Sequence, residues 1–347
     1  MTLWIIAGVA GVILLASVYF LTRKRDDDER WKARHSHPWD KRAEEPRGTT
    51  VASMPPPAAG IPFRMNLSEE LNRGSALEST ELWVDDEPTG PVAKIVLTAA
   101  GKSDPGKKRE HNEDSILVWS EQELYAIADG MGGYAAGEVA SRLAIETLER
   151  VFTTGELGEP EEEGLPRRGA ELMAAIHVAN AAIRAEAAED DQKTGMGTTL
   201  VAARFSPGRN RVYLAHVGDS RCYRIRDGHM RQLTTDHTLG AVGIVGKAAS
   251  KLSRAVGAFD EVEVDLVVDE PRPGDHYLLC SDGLYKMLSD ADILDTVERG
   301  SSVEAIVEDL VARANERGGR DNVSVVMVRV DEPEIDPRES GEHRITG

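Results

Sequence analysis

Cysteine is nearly missing from this chain: Cys222 and Cys280 are the only two in 347 residues. That rules out a disulfide framework and a cysteine-rich zinc site. Both lie in apolar, strand-like runs, as core thiols of a reducing compartment do. Positive charge is also scarce, with 41 basic against 60 acidic residues and a formal net charge of −19. A nucleic-acid binder needs a basic footprint, so that class is excluded. Peripheral docking on anionic lipid is disfavoured except through a local basic segment. The acidity is read as a contribution to solubility.

Charge is absent altogether from Leu3 to Leu21, a mostly apolar stretch close to the ~20 residues a spanning helix needs. Arg23-Lys24-Arg25 follows, and no lysine or arginine precedes it. A cleaved signal peptide carries its charge before the apolar run. The positive-inside rule therefore predicts a single-pass anchor in the inner (plasma) membrane, assigned to residues 1–22 with 3–22 as the membrane contact. Its N-terminus is outside and the rest of the chain is cytoplasmic. Residues 23–92 hold charge runs and Pro55-Pro56-Pro57 with no regular apolar period, the composition of a disordered linker. At ~5–6 Å × √n, its ~70 residues reach roughly 45 Å.

A folded domain is expected over 93–330, followed by a disordered tail at 331–347. Strands are read at 93–99, 115–119 and 124–128, helices at 137–153 and 168–189, then a meander at 198–205, 211–217, 221–226 and 229–233. Two strands near 262–268 and 276–280, helices at 289–299 and 302–317 and a last strand at 322–330 complete it. Strands cluster in hairpins and helices come in pairs, so the class is α+β, antiparallel sheets covered by helices.

The chemistry begins at Asp129. The apolar strand 124–128 ends there, and Gly130-Met131-Gly132-Gly133 follows before an amphipathic helix. Glycines bring bare carbonyls close to a ligand, and a carboxylate beside carbonyl oxygen suits a hard divalent cation. A glycine-rich turn alone needs no metal, and turn aspartates are common. Here the position is repeated. Asp282 follows the run 277–281, Asp321 precedes the last strand, Asp219 lies between two strands, and Glu113-Asp114 precede another. The set is oxygen-only, which favours Mg²⁺ or Mn²⁺ over zinc. Two such ions ~3.5–4 Å apart clamp an in-line phosphoryl displacement. Arg109 just upstream is a suitable phosphate fork.

The order of motifs is also informative: Arg109-x-x-Asn-Glu-Asp114, Asp129-Gly-Met-Gly-Gly133 with Gly137-Glu138, Gly197-Thr-Thr-Leu200, Gly218-Asp-Ser-Arg221, Leu252-Ser-Arg-Ala-Val-Gly257, Ser281-Asp-Gly-Leu284 and Arg320-Asp-Asn322. Over 93–330 the chain resembles the bacterial metal-dependent PPM (type 2C) serine/threonine protein phosphatases. The resemblance implies a four-layer α/β/β/α sandwich with two metals, and a third weaker one, at one end between the sheets. It implies that Asp129 bridges both metals and that Gly130 offers its carbonyl to one. Asp282 and Asp321 are the further ligands of the first, and Glu113 and Asp114 hold the second largely through waters. Asp219, with Asp282, is implied at the third, and Arg109 at the substrate phosphate. Implied partners are phosphorylated serine/threonine proteins and a cognate kinase or its targets, with the enzyme a monomer in signal transduction.

Met131 stands where some members carry a histidine proposed as general acid, so no acid is assigned. Residues 234–254 occupy the place of a flap and are shorter than usual. His111 and His237 are read as turn or surface residues, His216 as a strand histidine with a satisfied hydrogen bond. Thr198 and Thr199 are read as starting a strand, Arg221 and Arg254 as fixing loops. Two rival readings are a non-catalytic signalling scaffold of the same fold, which predicts a missing ligand, and a hydrolase of small phosphoesters.

Overall fold

The structure is a computed structural model that describes residues 95–132, 136–157 and 165–333. The expected anchor, the linker, residues 334–347 of the expected tail, and Gly133 fall outside those residues, while Asp331, read as the start of that tail, closes the last strand. Among the described residues, no helix is long and apolar enough to cross a membrane.

Alternation along the strands decides the layering. In β3 (Leu124–Met131), Leu124, Ala126 and Ala128 join one apolar cluster while Tyr125 and Ile127 join another. Successive side chains point to opposite faces of a strand, so both faces of β3 are buried. It belongs to an antiparallel sheet ordered β2 (Asp114–Trp119), β3, β5 (Leu200–Ser206), β6 (Arg211–Val217), β9 (Asp265–Asp269), with the short β4 (Gly197–Thr198) also paired to β3. The second sheet is ordered β1 (Val96–Asp104), β11 (Val323–Asp331), β10 (His276–Cys280), β7 (Arg221–Arg226), β8 (His229–Gln232).

The two sheets share an inner core that includes Tyr125, Phe205, Tyr277 and Val328. Phe205 meets Tyr125 and Tyr277 edge-on, at centroid distances of 5.8 and 5.3 Å, the arrangement that the ring quadrupoles favour. Helix α1 (Ala136–Thr154) places Ala140, Ala144, Leu148 and Val151 on one stripe against the outer face of the first sheet. Helix α2 (Arg167–Glu189) adds Leu172, Ile176 and Ile183 to the same layer. A short helix α3 (Asp282–Tyr285) precedes α4 (Asp290–Arg299) and α5 (Val303–Glu316), and these cover the second sheet through Ile293, Val297, Ile306 and Leu310. Ser289 and Ser302 cap α4 and α5 by accepting from the N–H of Asp292 and Ala305. The expected α/β/β/α sandwich is therefore what folds.

Several boundaries differ from the sequence reading. The first strand runs on to Asp104, because β1 stays in register with β11 as far as the pair Asp104–Val323. Strand β3 does not stop at Ala128: Asp129 pairs with Asp114, and Gly130 and Met131 pair with Thr198 and Gly197. Asp282 opens α3 two residues beyond the end of β10. The strand expected from 262 begins only at Asp265, where pairing with His216 starts.

Candidate metal and phosphate site

The same alternation that buries Tyr125 and Ile127 carries Asp129 onto the inner face, at the end of the sandwich. Ile116 of β2 packs in that inner layer, which puts Asp114 there as well. Tyr277 and Leu279 of β10 point inward, so Ser281 does too, and Ser324 follows from Val326 and Val328 of β11. Ser281 and Ser324 both donate to Asp114 Oδ2, at 2.8 and 2.6 Å. Asp114 Oδ1 is buried with no hydrogen-bond partner among the described residues.

The carboxylates feel one another. Burial, and then the fields of Asp114, Asp282, Asp219 and Asp321, holds the Asp129 carboxyl well above the usual range. Burial pushes Asp114 up to about 7, opposed by its two serine donors and reinforced by Asp282 and Asp321. Asp219 is raised by burial and by Asp282. Such mutual destabilisation of like charges marks an acidic set short of positive charge.

Backbone geometry supports the set. A Cβ on Gly130 would lie 2.0 Å from the Gly137 carbonyl oxygen and 2.6 Å from that of Glu113, so β3, α1 and the 109–114 loop meet only through glycine. Thr199 accepts the Asp129 N–H at 3.2 Å on its hydroxyl and donates its own N–H to the Asp129 carbonyl at 2.8 Å. Asn322 stitches the loops: its amide donates to the Pro105 and His111 carbonyls at 3.0 and 2.9 Å, and its oxygen accepts the Glu113 N–H at 2.9 Å. Tyr285 donates to the Asp219 carbonyl at 3.1 Å, under the Arg221 guanidinium 3.6 Å from the Tyr285 ring centroid.

Two cations face the acids. Lys286 pairs with Asp282. Arg109 donates to Asp321 Oδ2 at 2.9 Å and lies 3.7 Å from Glu113, and the Asp321 bond holds its pKa above the ordinary arginine value.

Arg109, Glu113, Asp114, Asp129, Gly130, Asp219, Asp282 and Asp321 thus share one end of the sandwich. Ser281, Ser324, Thr199, Asn322, Tyr285 and Lys286 are the supports that sequence reasoning missed. The inward alternation of β10 and β11, extended one step past the apolar residues, was the available signal for the two serines.

His111 is exposed on the 109–114 loop, as expected, and the other two named histidines lie elsewhere. His216 and His237 are buried, stacked at 4.6 Å, and group with Asp265, their ligating atoms within 4.8 Å of one another. His237, read as a turn or surface residue, does lie in a loop but is buried, which corrects the surface reading. His216 is the strand histidine expected, in β6, but its Nδ1 has no hydrogen-bond partner among the described residues. The Gly218 N–H donates to His237 Nδ1 at 3.2 Å, leaving the Nε2 proton to face Asp265 at 3.2 Å. Arg254 donates to Asp265 at 2.6 Å, and the His237 and Arg254 bonds hold that carboxyl well below the usual range. This cluster already neutralises its own acid and is a clamp for the 237–253 loop. Arg221, bound to Asp236 at 2.9 and 2.7 Å, fixes the same loop, as expected of both arginines.

Residues 106–325 match the Protein phosphatase 2C family. The chain belongs to that family. This phosphatase 2C chain is 41% identical over 247 residues to the serine/threonine protein phosphatase PstP of Mycobacterium tuberculosis, covering 68% of the present chain and 45% of PstP. It thus spans about half the length of that curated relative. It is 35% identical over 248 residues to the serine/threonine phosphatase stp of Listeria innocua, covering 67% of this chain and 95% of stp. Among solved structures, it resembles the catalytic domain of PstP in complex with 2 manganese ions, with TM-score 0.59, 41% identity and coverage of 69% and 100% of the two chains.

Proposed function

We propose that the chain is a membrane-anchored, Mn²⁺- or Mg²⁺-dependent protein serine/threonine phosphatase that counteracts cytoplasmic kinases. The observation that carries the reading is the convergence of Asp114, Asp129, Asp219, Asp282 and Asp321, with Arg109 on their rim. Their donor set fits a pair of hard cations: oxygen only, mutually repelling, with a buried Asp114 oxygen lacking a partner. Asp129 with Asp282 and Asp321 would hold one ion, Asp129 with Glu113 and Asp114 the other, the Gly130 carbonyl would serve one of the two, and Asp219 with Asp282 would hold a third. Bound there, the ions supply Lewis-acid charge neutralisation and water activation.

The chain's own residues do the rest. Arg109 presents a planar, permanently charged fork to the phosphate, exchanging its Asp321 bond for phosphoryl oxygens. Neither cysteine serves as nucleophile, since both thiols are buried and pushed up by that burial. Met131 has no dissociable proton to give the departing serine or threonine oxygen, so no residue is assigned as the acid. The uncharged run at 3–21 and the basic triplet after it support the anchor. Relatives named as serine/threonine phosphatases support the substrate class.

The test is phosphate release from a phosphothreonine peptide by the purified chain with Mn²⁺. Activity is expected to stop with a chelator and to fall about a hundredfold to a thousandfold in Asp282→Asn, on the scale of other lost electrostatic groups. Full activity in that variant would refute the ligand set. The complete acidic set also favours catalysis over a scaffold of the same fold.

A further inference from the structure

Building on the phosphatase reading, we propose that Lys107, Lys108 and Arg320 form a docking strip for acidic residues flanking the phosphorylated serine or threonine. The chain as a whole carries a net charge of −19, so these cations run against its overall sign. Lys107, Lys108 and Arg109 are consecutive and exposed, and Arg320 is exposed next to Asp321, the partner of Arg109. The strip therefore begins where the phosphate would be gripped.

Its backbone is held firmly. The Lys107 N–H donates to the Gly319 carbonyl at 2.8 Å, which ties the two loops together. A Cβ on Gly106, which has φ +77°, would lie 2.2 Å from the Asp321 carbonyl oxygen. The side chains, by contrast, are uncommitted. Lys102 pairs with Glu308, Lys286 with Asp282 and Arg317 with Asp292, whereas Lys107, Lys108 and Arg320 form no ion pair among the described residues. Glu110 is the one acid exposed in the 107–110 stretch, leaving an excess of positive charge. Cations held on a rigid rim beside a phosphate fork fit a peptide with carboxylates near its phosphoresidue.

Each exposed ion pair is worth little, so the preference is expected to be about fivefold, read mainly in KM, and to collapse at about 0.5 M salt. The experiment compares kcat/KM of the full chain with Mn²⁺ on three phosphothreonine peptides, identical except for Glu, Ala or Lys beside the phosphoresidue. p-Nitrophenyl phosphate, which has no flanks, is the control. The wild type should favour the Glu peptide. Lys107→Glu with Lys108→Glu should level or reverse the order, Lys107→Gln with Lys108→Gln should weaken it, and the nitrophenyl phosphate rate should hold in both. Equal peptide rates in the wild type would overturn the strip. So would a preference untouched by the substitutions, or a parallel loss on nitrophenyl phosphate. A wild type that cleaves nitrophenyl phosphate but no peptide would remove the protein-phosphatase reading, and the strip with it.

Discussion

At the scale of single residues, the acid and histidine groups show burial acting in opposite directions. Burial drives the carboxyls of Asp114 and Asp129 toward their neutral form, and it does the same to the imidazole of His216. The His216 pKa falls to about 4, from burial first and then from the neighbouring His237 and Arg254. Its folded-state pKa is thus below the unfolded value near 6.5, so the unfolded chain binds the proton more readily. Stability is complete above pH 6.5 and is lost as pH falls from there toward 4, where the folded state also protonates. About 2.5 units at 1.36 kcal/mol each sets a ceiling of about 3 kcal/mol. Urea midpoints measured from pH 7 to pH 4 should fall more steeply in the wild type than in His216→Gln. Equal slopes would show that His216 titrates normally.

At the scale of elements, the tightest junction is between the end of β3, the start of α1 and the 109–114 loop. Gly130→Ala places a methyl group 2.0 Å from a backbone oxygen that cannot rotate away. We expect it to cost about 2–3 kcal/mol, visible as a lower melting temperature, with activity lost beyond that fall because the Glu113 carbonyl must also move. A stable and active Gly130→Ala would contradict the junction. This is also where sequence reading reached its limit. The placement of Asp129 beside glycine was legible, because apolar alternation and a glycine run are local signals. That β3 continues through Gly130 was not, since its pairing to Thr198 depends on a strand 68 residues away. The support given to Asp114 by Ser281 and Ser324 was equally hidden, because two serines far along the chain carry no periodic mark of their own. The burial of His237 escaped notice for a related reason: its contacts with Gly218 and Asp265 form only when the loop folds back.

At the scale of the whole molecule, the sandwich separates stability from chemistry. Three apolar layers hold the sheets and helices, and the acids collect at one end, where the strands run out. Antiparallel sheets covered by helices were readable from strands in hairpins and helices in pairs, and the four-layer order followed from the family resemblance, while the order of strands within each sheet was not legible, since β1 beside β11 joins the two ends of the domain. The proposed anchor is separable in the same sense. Deleting residues 3–22 should move the protein from the membrane pellet to the supernatant while leaving kcat on p-nitrophenyl phosphate within about twofold, as no residue of the site lies before Arg109. Retention in the pellet would argue for another attachment. The register of β7 against β10 carries one more consequence. Cys222 is opposite Leu279 and packs between the sheets, while Cys280 is opposite Arg221 and packs beneath the helices. Sulfurs on opposite sides of one sheet cannot join, and neither is open to peroxide. On the proposed water-based chemistry, an oxidative burst that silences enzymes working through a sulfur nucleophile is expected to leave this one running, so its output would persist through the stress.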